Sequence, residues 1–203
     1  MALLKRHDEA LAAYDKALTL KPGLAEALNG RGNVLAELKR RDDALAAYDQ
    51  ALALKPALAD AWNGRGNILL DDKRYADALF AYDKALALRP TLAQAWNGCG
   101  CVFTELRRFD EAFAAYDRAL TFEPDLVEAW YGRGNAFVEV KRYEEALTAY
   151  DRVCRCSLIW RKPGSAAAMC LPISIAMPTR CPVMTGRFRS IEIWRKRIST
   201  SRS

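Results

Sequence analysis

The 203-residue sequence contains one histidine, His7. A single imidazole cannot build a histidine-rich metal site or a repeated acid–base pair. No run of about 20 apolar residues occurs, so no membrane-spanning helix is expected. The N-terminal MALLKRHDEA has neither the apolar core nor the cleavage site of a secretory signal. No G-x-x-x-x-G-K-[ST] phosphate loop is present, and the recurrent Gly-Arg-Gly-Asn box lies inside a helical pattern. The cysteine pairs Cys99/Cys101 and Cys154/Cys156 have no partner pair at zinc-ligand spacing; with Cys170 and Cys181 they read as free thiols in a reducing, cytoplasmic compartment. The expectation is a non-enzyme without metal or cofactor.

Charge is unevenly placed. From Cys154 to Ser203 there are ten Lys or Arg and one Asp or Glu, so the net +6 hides a basic tail on a mildly acidic body. A nucleic-acid role would rest on that tail alone, and none is expected. Hydrophobic residues make up 51% of the chain, enough for a packed core.

The body is periodic, and a period of 34 residues points to a repeat architecture. Tyrosine recurs at Tyr14, Tyr48, Tyr82, Tyr116 and Tyr150, and proline at Pro22, Pro56, Pro90 and Pro124. Each unit carries two amphipathic patterns. Tyr75, Ala78, Leu79, Tyr82, Ala85 and Leu86 mark the second one at i, i+3, i+4, i+7 spacing. Lys55-Pro56 breaks one unit from the next, because proline ends a helix and biases its predecessor to extended conformations. The spacing predicts helices near 4–20, 25–37, 41–54, 59–71, 75–88, 93–105, 109–122, 127–139 and 143–153.

These residues resemble the tetratricopeptide repeat (TPR) family over about three quarters of the chain. The family's helix-A aromatic stands at Trp62, Trp96 and Trp130, with Leu28 in the first copy. Its helix-A glycine is Gly32, Gly66, Gly100 and Gly134, and its helix-B alanine is Ala44, Ala78, Ala112 and Ala146. The resemblance implies an all-α, right-handed superhelix of helix-turn-helix pairs. Its divisions would be an orphan helix B at 4–20, repeats at 25–58, 59–92 and 93–126, an incomplete repeat at 127–153, and a disordered tail at 154–203. Three positions depart from the family. Arg31, Arg65, Cys99 and Arg133 replace a leucine; Lys39, Lys73, Arg107 and Lys141 replace the turn glycine; and Gly30, Gly64, Gly98 and Gly132 add a second glycine to helix A. Two glycines cost a helix about 1 kcal/mol each relative to alanine, so close helix contact is expected to hold helix A. The arginines are expected to stay partly solvated or to pair with Asp49, Asp83 and Asp117.

The tail has lost the repeat residues but keeps the beat, since IWRK occurs at 159–162 and again at 193–196. Ile159 to Gly164 can be encoded ATT TGG CGG AAG CCT GGC. Read one nucleotide early, this gives Asp-Leu-Ala-Glu-Ala-Trp, in register with the segment from Asp125 to Trp130. Ser165 to Cys170 likewise can encode the Gly-Arg-Gly-Asn box. The tail therefore looks like a repeat array translated out of frame after about residue 153.

In the family, helix A lines the concave side. The resemblance implies a peptide-binding face made of three series: Glu26, Asp60, Gln94 and Glu128; Asn29, Asn63, Asn97 and Tyr131; and Asn33, Asn67, Cys101 and Asn135. Asn63 and Asn67 are i and i+4, so they share a face. Their amides either form a donor–acceptor ladder for an extended peptide backbone, or bond neighbouring repeats and water. Acidic residues at the groove's start favour a basic or neutral segment. The expected partner is a protein or peptide, with self-association through uncapped ends as a competing use. The repeats also look like the arm of SPINDLY-type O-GlcNAc transferases. Alternative readings are thus a fragment of such an arm, or a pseudogene product without a role.

Overall fold

The computed structural model describes residues 2–159, with side chains described over 6–153. The expectation of a disordered tail lies, for 160–203, outside the described residues. Within them the chain is an all-α superhelix of helix pairs. The helices are α1 (Ala2–Leu20), α2 (Ala25–Glu37), α3 (Arg41–Leu54), α4 (Ala59–Asp71), α5 (Tyr75–Leu88), α6 (Ala93–Glu105), α7 (Phe109–Phe122), α8 (Val127–Glu139) and α9 (Tyr143–Ile159). The seven inner helices have the boundaries expected from the repeat. At the C-terminal side there is a correction: Cys154–Ile159, assigned to the tail from sequence, continue α9. Leu158 stands where the repeat places proline, so nothing removes the helical N–H bond or clashes with the preceding turn.

Even-numbered helices are the A type and odd-numbered helices the B type. Each A helix packs against its own B helix and against the B helix before it. Successive A helices also touch, α2 with α4, α4 with α6 and α6 with α8, whereas successive B helices make no comparable contact. The array therefore bends toward the A helices, which form its inner face.

Every A helix ends in the same way. Lys39, Lys73, Arg107 and Lys141 adopt φ near 60°. Lys73 donates to the Leu70 carbonyl at 2.9 Å and Arg74 to that of Leu69 at 2.8 Å, which satisfies two terminal carbonyls as in a Schellman turn. The left-handed backbone is thus retained without the family's glycine, at a cost on the order of 1 kcal/mol.

Packing turns on the B-helix tyrosine. Tyr48, Tyr82 and Tyr116 are at most 2% exposed. Each ring lies between a glycine of its own A helix and one of the next: Gly32 and Gly64 enclose Tyr48, and Gly66 and Gly98 enclose Tyr82. A Cβ on Gly66 would stand 2.6 Å from Cε1 of Tyr82. Beside the rings, Ala44, Ala78 and Ala112 are fully buried, where a larger side chain would force the helices apart. The Trp62, Trp96 and Trp130 indoles close the inter-unit turns, donating to the carbonyls of Pro56, Pro90 and Pro124 at 2.8–2.9 Å.

Gly66→Ala should therefore destabilise the array by about 1–3 kcal/mol, against the helix-propensity gain of about 1 kcal/mol at an open site. Gly23→Ala, with nothing within 4 Å, should change stability by no more than about 0.5 kcal/mol. Urea unfolding followed by circular dichroism separates the two variants.

Candidate functional site

The inner face brings the three predicted series onto successive A helices, but their environments differ. In the first series two of the three acids are already occupied. Glu26 accepts from the Lys55 ammonium at 2.6 Å, Asp60 pairs with Arg89, and Gln94 donates to Glu123 at 3.0 Å. The Lys55 contact holds the Glu26 carboxyl below its ordinary value. Each pair joins the start of an A helix to the residue capping its own B helix, 29 positions on. At the first two repeats the carboxylate thus compensates the lysine or arginine of the turn; Glu128 lies in the first turn of α8.

The series of Asn33, Asn67 and Asn135 serves the tyrosines. The hydroxyls of Tyr48, Tyr82 and Tyr150 donate to the Oδ1 atoms of Asn33, Asn67 and Asn135 at 2.8–2.9 Å. Cys101 replaces asparagine in the third repeat, and there Tyr116 lies 3.7 Å from its Sγ and 3.2 Å from the Thr104 hydroxyl. In the remaining series Asn29, Asn63 and Asn97 are half-buried. Each Oδ1 is buried and without a partner among the described residues. Tyr131, the fourth member, is buried, with its ring 5.8 Å from that of Tyr150. Burial, then Tyr131, pushes the Tyr150 hydroxyl above its ordinary pKa. In the Asn33, Asn67 and Asn135 series the oxygen is thus engaged by a tyrosine hydroxyl, whereas in the Asn29, Asn63 and Asn97 series it is buried without one. Of the two uses expected for these amides, bonding within the protein holds for the oxygens of Asn33, Asn67 and Asn135.

The arginines that replace leucine lie between repeats. Arg31 pairs with Asp15 at 2.9 Å, Arg65 with Asp49 at 2.9 Å and Arg133 with Asp117 at 3.2 Å, each linking an A helix to the preceding B helix. Arg65 and Arg133 also stand over Trp62 and Trp130, 5.7 and 5.5 Å from the ring centroids. Such exposed pairs each contribute roughly 0–1 kcal/mol. In the third repeat Cys99 takes the arginine's place opposite Asp83. Burial first, then Asp83 and Cys101, pushes the Cys99 thiol up to about 12, so it stays neutral at physiological pH. The tyrosine–asparagine bonds and the 29-residue pairs were not read from the sequence. Their signal was present in it, as constant offsets of 15 and 29 between residues of complementary chemistry.

Family models match the chain in four stretches. Three are described as tetratricopeptide repeat, at residues 2–23, 59–92 and 100–157, and one as TPR repeat, at 32–73. No curated protein matches the sequence. Among solved structures, MamA 41-end from Desulfovibrio magneticus RS-1 is 22% identical with a TM-score of 0.63, over 78% of this chain and 90% of that one. YrrB, described as a TPR protein with an unusual peptide-binding site, is 24% identical with a TM-score of 0.56, over 77% and 81%. PilW, a type IV pilus biogenesis factor, is 25% identical with a TM-score of 0.69, over 76% and 71%. These likenesses establish the fold.

The two asparagine series should respond unequally to truncation. Asn67→Ala leaves the Tyr82 hydroxyl without its acceptor and should cost about 1–2 kcal/mol. Asn63→Ala removes an oxygen that has no partner and should cost less than about 0.5 kcal/mol. Chemical denaturation of the two single variants checks this contrast.

Proposed function

The chain carries tetratricopeptide repeats in four matched stretches between residues 2 and 157, and on that premise we propose that it is a non-catalytic, cytoplasmic protein-interaction scaffold. Its inner A-helix face takes an extended peptide segment. The observation that carries this reading is the row of asparagines along the A helices, in which Tyr48, Tyr82 and Tyr150 occupy the oxygens of Asn33, Asn67 and Asn135 and leave the N–H₂ of each as the amide's donor. Such donors match the carbonyls of an extended backbone, which recur whatever its side chains. The peptide-binding site named for YrrB, a protein of similar fold, supports the same use. Among the described residues no helix is long and apolar enough to cross a membrane, and a protein or peptide is the partner class favoured.

The test uses peptides selected from a display library on the full chain. They should shift the amide resonances of α4, α6 and α8. Asn67→Asp with Asn135→Asp keeps an acceptor for Tyr82 and Tyr150 but removes both donors. Peptide affinity should fall at least about tenfold, as expected when two bonds of about 1 kcal/mol are lost, with the helical content unchanged. Undiminished binding by the folded double variant would eliminate the donor face.

A second reading is favoured by the tail's registered agreement with a shifted reading frame. The chain would then be part of the arm of a larger O-linked glycosyltransferase, cut off by a frameshift, or its inactive remnant. The gene should show repeat codons continuing past residue 153 in the shifted frame; unrelated codons there would dismiss this reading.

A further inference from the structure

In three repeats the same corner is filled by the protein's own tryptophan. In the second repeat the Trp62 indole donates to the Pro56 carbonyl at 2.9 Å, with Arg65 over its ring at 5.7 Å. The fourth repeat does the same with Trp130, Pro124 and Arg133. Trp96 and Pro90 repeat the hydrogen bond in the third. In the first repeat the position is Leu28, which is shorter and has no donor. A groove of about 620 Å³ opens there, walled by Leu18 of α1, Leu28 and Arg31 of α2, Ala53 and Leu54 of α3, and the turn residue Pro22. Leu54 is 51% exposed at its rim, and the Pro22 carbonyl accepts no hydrogen bond among the described residues.

We propose that this groove is a docking site for an exposed tryptophan side chain of a partner protein. The occupant follows from the sister repeats: the walls supply apolar contact, the Pro22 carbonyl supplies the acceptor for an indole N–H, and Arg31 supplies the cation for the ring face. Arg31 keeps its pair with Asp15 at 2.9 Å, just as Arg65 stays paired with Asp49 while standing over Trp62. Its charge complements the negative face of an aromatic ring. Aliphatic side chains would meet the walls but leave the carbonyl and the guanidinium unused. The site is walled largely by the B-type helices α1 and α3, so it goes beyond the peptide face of the A helices and does not depend on it.

The probe is N-acetyl-L-tryptophanamide, titrated into the full chain with labelled leucine methyl groups and followed by NMR. Binding on the order of 1 mM is expected for so small a ligand, with shifts at Leu18, Leu28 and Leu54. The 1-methyl analogue, which cannot donate to Pro22, should bind about fivefold more weakly. Leu28→Trp should fill the groove from within, as the sister repeats do, and abolish the shifts at Leu18 and Leu54. Leu54→Ser, at a half-exposed rim position that leaves the fold intact, should weaken binding several-fold. Equal binding of the 1-methyl analogue, probe binding by folded Leu28→Trp as tight as by the parent, or shifts confined to α4–α8 would each overturn the proposal.

Discussion

The structure depends on one steric constraint: a tyrosine ring from each of the inner B helices α3, α5 and α7 lies between glycines of two successive A helices. Tyr48, Tyr82 and Tyr116 are almost wholly buried, and the glycines facing them leave no room for a Cβ. An aromatic ring removes 150–250 Å² from water, which offsets the helix propensity lost at two glycines. Because the two glycines belong to different repeats, the same ring closes a helix pair and stacks it on the next. Gly-x-Gly in the A helix and tyrosine in the B helix are thus one device. The Asn33, Asn67 and Asn135 side chains complete it by accepting the hydroxyl that the buried ring brings with it.

Polar contacts follow the same 34-residue step and set the register between elements that are already packed. Arginine to the preceding B-helix aspartate joins repeats, and the acid at the A-helix start joins the cation capping its own B helix. The third repeat shows what is dispensable. Cys99 and Cys101 replace the arginine and the asparagine there, yet α6 and α7 keep the boundaries of their neighbours. The ring cradle of Gly100, Tyr116 and Gly132 is retained in that repeat.

These internal uses also shape what the surface can do. Two carboxylates that from sequence promised an acidic groove, Glu26 and Asp60, are spent on turn lysine and arginine, and the amide oxygens of Asn33, Asn67 and Asn135 on tyrosine hydroxyls. The first repeat differs because Leu28 leaves unfilled the corner that tryptophan fills elsewhere.

Much of the fold was legible from period and punctuation. Proline at Pro22, Pro56, Pro90 and Pro124 and the spacing of apolar residues specify where helices start and stop, because these effects act within one turn of chain. The same logic accounts for the missed C-terminal boundary, where Leu158 lets α9 run on to Ile159. The sequence also contained the candidate face, since equivalent residues of identical repeats must occupy equivalent places. Which atom of Asn67 faces Tyr82, and whether Asp60 is free or held by Arg89, depend on how two helices lie across each other, and no local pattern encodes that distance. The sequence by itself thus determined the helices and the choice of residues on each face. Only the tertiary structure decided which of their polar atoms are consumed internally, because hydrogen bonds form over about 3 Å while the residues that share them lie 15 or 29 positions apart.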